Sequence, residues 1–256
     1  MMNPPLPAWP DCRVWVIGAS TGIGAETARL LLAMGARVAL SARSQDKLER
    51  VAAGHTNSLT AALDVRDPAS IASARDLILQ QWQGIDLVLM VAGTYTEMRA
   101  DSFDLAVAEN LIDINVNGVF RCLDALLPTL LQQGHGAIGI VASIAGYRGL
   151  PKAMAYGPSK AALINLSESL YLDLRPRGIG VYQITPGFVD TPLTAGNDFP
   201  MPALMTAPEA AAEMLRQLQG RQFLIHFPKK LTLWFRLLRL LPYRLYFALI
   251  HKATGL

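Results

Sequence analysis

The sequence predicts an α/β domain with a doubly wound parallel sheet, on the strength of three observations. Short apolar runs alternate with helix-forming stretches, the first run ends at a glycine-rich turn, and no short repeat or low-complexity linker divides the 256 residues. Short apolar strands that alternate with helices are typical of a parallel sheet covered on both faces. With 52% hydrophobic and 17% charged residues, the chain suits one globular domain and is not disordered.

The predicted elements follow one another along residues 12–228, which we assign to this domain. Gly35 stands where the first helix would end, as glycine commonly does. The predicted strands are residues 14–17, 37–40, 58–63, 87–91, 137–141 and 180–184. The predicted helices are residues 25–34, 45–51, 71–83, 105–131 and 156–174.

The N-terminus and the cysteines indicate the compartment. Residues 1–11 are rich in proline and lack the basic start and apolar run of a signal peptide, so they predict a flexible N-terminal arm. Cys12 and Cys122 are too few and too far apart for a disulfide framework, and no His/Cys group has the spacing of metal ligands. We therefore expect a reducing, cytoplasmic compartment and no metal site.

The charged residues are nearly balanced but unevenly placed. The net charge of +3 is too small for a protein whose main ligand is nucleic acid, so no such partner is expected. No acidic residue follows Glu213, and the last 43 residues contain eight basic ones, whereas the first 213 residues have a net charge of −5. A basic C-terminal segment therefore follows an acidic domain.

Residues 229–256 predict a basic amphipathic helical tail, which Pro242 should interrupt or kink. Arg236 and Arg239 lie opposite an apolar stripe of Leu231, Trp234, Leu238, Leu241 and Leu245. Interior arginines argue against a bilayer-spanning helix, and basic and aromatic residues around an amphipathic face suit a helix in the membrane interface. We expect peripheral contact with the inner face of a membrane. The alternative is a tail that packs on a partner subunit or over the ligand site.

The first predicted strand runs into a glycine-rich turn, Gly18-Ala-Ser-Thr-Gly22-Ile-Gly24, that opens the first helix. Glycines let the backbone turn tightly and let phosphates approach, and the helix N-terminus attracts negative charge. The turn therefore predicts a pyrophosphate site formed by Gly18, Ser20, Thr21, Gly22, Ile23 and Gly24. The alternative is a glycine-rich turn without a ligand.

The end of the second predicted strand indicates which dinucleotide would bind. In such a fold an acidic residue there accepts a hydrogen bond from the ribose 2′-hydroxyl of NAD. Here the stretch is Ser41-Ala42-Arg43, whose guanidinium would attract the 2′-phosphate of NADP. The sequence favours NADP(H) over NAD(H). The alternative is that Arg43 is a solvated surface arginine.

A second group of residues indicates acid/base chemistry. Tyr156-Gly-Pro-Ser-Lys160 places a phenol and an ammonium on one face of a predicted helix. A tyrosine, with an ordinary pKa of about 10, serves as acid and base near neutrality only if a cation stabilises its phenolate, and Lys160 can be that cation. Ser143 follows a strand, at the edge where open α/β sheets bind ligands. The alternative is a packed tyrosine beside a solvated lysine.

In this order the residues resemble the short-chain dehydrogenase/reductases, which have a Rossmann fold, over roughly residues 12–228. The matching positions are Gly18-x-x-x-Gly22-x-Gly24, Asp64-Val65, Ala92-Gly93, Asn115, Ser143, Tyr156 with Lys160, and Pro186-Gly187-Phe-Val189-Asp-Thr191. The resemblance implies that Tyr156 is the general acid/base and that Ser143 orients and polarises a substrate carbonyl. It also implies that Lys160 lowers the tyrosine pKa and holds the nicotinamide ribose.

The same resemblance assigns roles to the other matching positions. Asn115 would anchor a water molecule that links Lys160 to solvent. The other cofactor contacts would come from Asp64 and Val65 at adenine, from Val189 and Thr191 at the nicotinamide carboxamide, and from Ala92, Gly93, Pro186 and Gly187. Family members usually associate through two long helices, here residues 105–131 and 156–174, which implies a homodimer or homotetramer. Met90-Val91 departs from the family, which usually has two asparagines there.

The segment between Thr191 and Pro208 stands where the family has a mobile substrate lid, and it is mostly apolar. Apolar side chains near the site favour a lipophilic substrate, namely Phe188, Leu193, Phe199, Met201, Leu204 and Met205. The alternative is that they pack the lid on the core.

The favoured interpretation is an NADP(H)-dependent carbonyl reductase, or the reverse alcohol dehydrogenase, acting on a lipophilic substrate. One alternative is a 3-oxoacyl-thioester reductase, for which a basic lid would be expected, yet residues 191–206 contain no Lys or Arg. The other is a non-catalytic NADP-binding scaffold at a membrane, since a fold alone does not establish a function.

Overall fold

The computed structural model describes residues 2–255 and is built around a parallel sheet of seven strands. The strands of the chain are β1 (Arg13–Ile17), β2 (Arg37–Ser41), β3 (Ser58–Thr60), β4 (Leu87–Met90), β5 (Ala137–Val141), β6 (Gly180–Pro186), β7 (Val189–Asp190), β8 (Met205–Thr206) and β9 (Leu224–Phe227). The main sheet has the order β3-β2-β1-β4-β5-β6-β9, and β7 pairs with β8. The predicted doubly wound parallel sheet is confirmed.

Helices cover both faces of this sheet. They are α1 (Gly22–Ala33), α2 (Gln45–Ala52), α3 (Pro68–Trp82), α4 (Leu105–Ile112), α5 (Gly118–Gln133), α6 (Tyr156–Leu174), α7 (Ala207–Gln219), α8 (Lys229–Arg239) and α9 (Tyr243–Thr254). The helix predicted over 105–131 is divided by a π-helical turn, Asp113–Asn117. The sheet order reverses between β1 and β4, so the carboxyl ends of these strands open a crevice for a ligand.

The strands are buried on both sides, which explains their continuous apolar runs. Along β1, Val14 and Val16 face a core that contains Leu31 of α1 and Met214 of α7. Trp15 and Ile17 face the opposite core, with side chains of α3, α5 and α6. Because successive side chains of a strand alternate between faces, one apolar strand joins two cores.

Four elements beyond residue 184 were not predicted, namely the short strands β7 and β8, helix α7 and strand β9. Strand β9 has four residues, one of which is His226, so its apolar signal is short. Helix α7 begins with a capping box, in which the Thr206 hydroxyl accepts from the Glu209 N–H and the Glu209 carboxylate accepts from the Thr206 N–H. A Thr-x-x-Glu start is readable in sequence, so this helix could have been found.

The predicted flexible N-terminal arm is wrong at Asn3, which is 1% exposed. Its side-chain amide donates to the Val181 carbonyl at 2.8 Å and accepts from the Val181 N–H at 3.0 Å. The Asn3 backbone N–H also donates to the Arg221 carbonyl. These bonds fasten the segment to β6 and to the loop between α7 and β9. Met1 of the predicted arm, and Leu256 of the predicted tail, lie outside the described residues.

The C-terminal tail consists of α8 and α9, and the predicted interruption at Pro242 is confirmed. The predicted apolar stripe is not a single face: Leu231 is half-buried against the core, whereas Trp234 is 67% exposed. Thr232 is fully buried and bonds the His226 ring. Among residues 2–255, no helix is long and apolar enough to cross a membrane.

Candidate active site

A cleft of about 920 Å³ opens at the carboxyl ends of the central strands. All the residues predicted to bind the cofactor line it, and so do Ser143, Tyr156 and Lys160. Asn115 does not line the cleft, because it is fully buried behind it. The structure therefore brings together residues that are more than 170 positions apart in the sequence.

The glycine-rich turn forms one wall of the cleft, and each of its glycines occupies a crowded position. A Cβ at Gly18, whose φ is +101°, would lie 2.5 Å from the Ala92 nitrogen, and one at Gly24 would lie 2.1 Å from the Gly18 carbonyl oxygen. Gly22 has φ +55° and approaches the Thr191 side chain. Helix α1 begins here, and the Thr21 side chain makes no capping hydrogen bond. The first N–H groups of α1 thus face the cleft, as an anion site requires.

The end of the cleft next to β2 and α2 is basic. Arg43 lines it after β2, and Lys47 of α2 and Arg66 line it as well. Arg66 is paired with Asp64 at 2.7 Å, and this contact holds the pKa of the Asp64 carboxyl below its usual range. Lys47 was not identified from the sequence, although its place one turn after Arg43 could have suggested it.

The catalytic candidates lie on β5 and α6. Tyr156 is the first residue of α6 and Lys160 lies one turn later, so both side chains reach the cleft. Ser143 follows β5 and caps a short turn, accepting from the Ala145 N–H at 3.2 Å. The Lys160 Nζ donates to the Val141 carbonyl at 2.9 Å and lies 5.6 Å from the centre of the Tyr156 ring.

The expected lowering of the Tyr156 pKa by Lys160 is not found. Burial raises the pKa of Tyr156 to about 12, while the nearby Ser143 hydroxyl acts in the opposite direction. Burial also lowers the pKa of Lys160 to about 8. The ammonium is directed to the Val141 carbonyl rather than to the phenol, so desolvation prevails over charge stabilisation at the tyrosine. This arrangement favours the protonated phenol.

Asn115 holds the π-helical turn against the site. Its side-chain amide donates to the Thr94 carbonyl at 2.9 Å and to the Ser159 hydroxyl at 3.1 Å, and its Oδ1 accepts from the Thr94 N–H at 2.8 Å. A Cβ at Gly93 would lie 3.2 Å from the Asn115 Oδ1 and 3.4 Å from the Lys160 Nζ. Asn115 therefore joins the loop after β4 to α6, next to the lysine.

Met90 and Val91, which replace the usual asparagines, have packing roles. Met90 is buried in the core that Trp15 and Ile17 also face. The N–H groups of Val91 and Ala92 both donate to the Ile17 carbonyl at 2.8 Å. At Val91 and Ala92 the backbone of this turn is therefore held by β1.

Tyr95 is a site residue that was not identified from the sequence. Its ring meets the Tyr156 ring edge-on, with the centres 5.0 Å apart, and it lines the cleft together with Ile114. Its place two residues after Gly93 was the available signal. The part of the cleft beside Tyr156 is therefore partly aromatic.

The predicted lid packs partly on the residue segment that precedes it. Of the apolar side chains assigned to the substrate, Leu193 lines the cleft, whereas Phe188 and Phe199 pack on each other with ring centres 6.1 Å apart. Lys152 pairs with Glu97 at 3.0 Å and also with Asp198 of the lid. Through Lys152, these ion pairs link the lid to the loop before α6 and to the loop after β4.

Comparison with known proteins identifies the family. The family model for short chain dehydrogenases matches residues 13–199. An uncharacterized oxidoreductase of Myxococcus xanthus is 36% identical over 233 residues, which cover 89% of this chain and 91% of that relative. The chain belongs to the short-chain dehydrogenase family of oxidoreductases.

Solved structures show the same architecture. A short-chain dehydrogenase from Streptomyces avermitilis superposes with a TM-score of 0.76 at 24% identity, over 88% of this chain and 91% of that one. A short chain dehydrogenase from Burkholderia cenocepacia, solved in complex with NADP, has a TM-score of 0.75 at 26% identity, over 84% and 87% of the two chains. The Rossmann fold predicted from the residues is confirmed.

Proposed function

We propose that this protein is an NADP(H)-dependent oxidoreductase that interconverts a carbonyl and an alcohol on an apolar substrate, with Tyr156 as general acid and base. This proposal depends on one observation. Ser143, Tyr156 and Lys160 line the same cleft as the glycine-rich turn. A pure nucleotide-binding scaffold would have no chemical need for a buried phenol and ammonium there.

The residues present fit a dinucleotide with a 2′-phosphate. The crowded glycines leave room for a pyrophosphate at the N-terminus of α1. Arg43 and Lys47 supply positive charge at the adenosine end, and β2 ends at Ser41 rather than at a carboxylate. The relative solved with NADP supports this choice of cofactor.

The chain's own residues would position the substrate and handle the proton. A bound nicotinamide supplies or accepts the hydride. In the direction of reduction, Ser143 donates a hydrogen bond to the substrate oxygen and Tyr156 transfers its phenolic proton to that oxygen. The raised pKa of Tyr156 keeps the proton on the phenol at neutral pH, which suits an acid that donates. Tyr95 and Leu193 offer apolar surface to the substrate.

The experiment that tests the cofactor assignment is a titration of the protein with NADPH and with NADH, followed by nicotinamide fluorescence. Arg43→Ala should weaken NADPH binding by about 10- to 100-fold and leave NADH binding unchanged, since a charge-assisted contact to the phosphate is lost. Arg50→Ala, an exposed arginine of α2 outside the cleft, is the matched control. Equal affinity for both nucleotides in the wild type would contradict the preference for NADP(H).

The reaction is tested by NADPH consumption with a panel of apolar aldehydes and ketones. Turnover that rises with the length of the alkyl chain would support an apolar substrate. Tight NADPH binding without turnover of any carbonyl would favour the non-catalytic scaffold instead.

A further inference from the structure

We propose that the tail formed by α8 and α9 binds the surface of an anionic lipid bilayer. Within residues 233–249 the tail exposes at least 41% of each of eight large apolar side chains, Leu233, Trp234, Leu237, Leu240, Tyr243, Leu245, Phe247 and Leu249. We call these eight side chains the apolar patch. Large exposed patches of this kind mark interaction sites on proteins.

The tail is anchored to the domain mainly by side chains outside the apolar patch. Leu231 and Phe235 pack on the core, and a Cβ at Gly187 would lie 2.9 Å from the Leu231 Cδ2. In α9, Tyr246 is 2% exposed and its hydroxyl donates to the Gly149 carbonyl at 2.6 Å. The tail is therefore held by these side chains, while each side chain of the apolar patch stays at least 41% exposed.

Arg148 fixes the angle between the two helices of the tail. Its guanidinium donates to the carbonyls of Leu238 and Leu241, at 3.1 and 2.7 Å, where α8 ends. It also lies over the rings of Tyr243 and Tyr246, at 4.6 and 4.3 Å from their centres. Both helices are thus bound to one side chain of the domain, and the apolar patch keeps a defined orientation.

The charges around the apolar patch select an anionic partner. The tail has six exposed basic side chains, Lys229, Lys230, Arg236, Arg239, Arg244 and Lys252. In the part of the chain that the structure describes, none of them has a carboxylate within 4.0 Å, since the ion pairs found there involve other residues. Exposed aromatic and aliphatic side chains with flanking cations are the pattern of helices that lie in an anionic membrane surface.

Two other arrangements fit less well. A symmetric dimer through the apolar patch would bring the patch against itself, and so bring together two basic tails whose residues 229–256 include no Asp or Glu. A helix of 11 or 12 residues is about 17 Å long, shorter than the hydrocarbon core of about 30 Å. The tail therefore suits a helix pair that lies on the bilayer.

The test is flotation of the full chain with vesicles of phosphatidylcholine alone or of phosphatidylcholine mixed with phosphatidylglycerol. The wild type should float with the mixed vesicles, less with the neutral ones, and less again as salt screens the charges. Trp234→Gln/Leu237→Gln/Leu240→Gln should lower the floated fraction by about 10-fold or more, because apolar area drives insertion. The control Met34→Gln/Leu77→Gln/Leu131→Gln changes three exposed apolar side chains outside the tail and should float like the wild type.

The proposal is overturned if the wild type stays in the dense fraction with both vesicles, or if the two triple variants float equally. It is also overturned if the tail variant lowers the mass of the protein in solution, by light scattering, while no form floats, because the patch would then join copies of the chain. These readouts do not depend on catalysis, so they stand apart from the test of the proposed function.

Discussion

The Tyr156 phenol is the residue on which the proposed chemistry depends. Burial raises its pKa to about 12, and Ser143 is the side chain that opposes this shift. The group is therefore a proton donor that must be deprotonated for the reverse reaction. We expect reduction to be favoured at neutral pH, and oxidation to become faster as the pH rises.

Tyr156→Phe should lower turnover by about 10² to 10⁴-fold, because a positioned acid is lost. NADPH affinity should stay within about 2-fold of wild type, since the ring and its contact with Tyr95 are kept. Steady-state kinetics and the fluorescence titration measure the two effects. Turnover equal to that of the wild type would show that another group supplies the proton.

Lys160 is a buried cation that costs stability. Burial lowers its pKa from 10.5 to about 8, so below pH 8 the folded protein must hold a charge that the unfolded chain holds more easily. Each unit of pKa shift corresponds to about 1.4 kcal/mol, and the hydrogen bond to the Val141 carbonyl returns about 1 kcal/mol. Lys160→Met should therefore raise the free energy of unfolding near neutral pH by about 2 kcal/mol.

This gain should shrink as the pH rises from about 8 towards 10.5, because the wild-type amine becomes neutral in both states. Urea unfolding near neutral pH and near pH 10 tests this dependence. Lys47→Met, which changes an exposed lysine, is the control and should show no such trend. A Lys160→Met protein that is less stable than wild type at neutral pH would show that the lysine's contacts outweigh its desolvation.

At the scale of elements, the tail helices depend on the loop between β5 and α6. Arg148 contributes two hydrogen bonds and two ring contacts to them. Arg148→Gln should remove about 2 kcal/mol of this docking and so speed hydrogen exchange in residues 229–255 by about 30-fold. Mass spectrometry of proteolytic peptides measures this hydrogen exchange. The control is Arg177→Gln, which changes an exposed arginine after α6. Equal acceleration in β4 and in the tail would instead indicate a global loss of stability.

The elements that were predicted correctly have strong local signals. The strands β1, β4 and β5 are apolar runs, and α6 has the helical pairing of Tyr156 with Lys160. The π-helical turn had no such signal, because it results from the contacts of Asn115 with Thr94 and Ser159, which are distant in the sequence. The spacing of apolar residues indicates which face of a helix is buried. It does not indicate where contacts with another element distort the helix.

For the site, the sequence predicted which residues line the cleft but not their electrostatics. The spacing of Tyr156 and Lys160 suggested a phenol activated by an ammonium, whereas burial dominates the pKa of both groups. In the tail, too, the sequence did not predict which side chains are buried. One apolar stripe was predicted, while α8 has one side packed through Leu231 and another exposed at Trp234. Both outcomes depend on what surrounds a side chain in three dimensions.

At the scale of the whole molecule, the tail contacts two loops next to the cleft. Leu231 packs on Gly187 in the loop that lines the cleft. Arg148 and Gly149, which hold the tail, lie between Ser143 and Tyr156 in the chain. If both proposals hold, a tail lying on a bilayer keeps the substrate end of the cleft close to the lipid surface, where an apolar carbonyl compound is concentrated by partitioning.

Anionic vesicles should therefore raise kcat/KM for a long-chain ketone by about 10-fold, because each buried CH₂ favours partitioning into the bilayer by about 0.8 kcal/mol. The vesicles should leave kcat/KM for a short water-soluble ketone unchanged. Trp234→Gln/Leu237→Gln/Leu240→Gln should lose the vesicle effect and keep the rate on the short ketone. If neither ketone is reduced in solution, the proposed reaction fails. If both are reduced and the wild type floats, but vesicles do not change the ratio of the two rates, the cleft does not draw its substrate from the membrane.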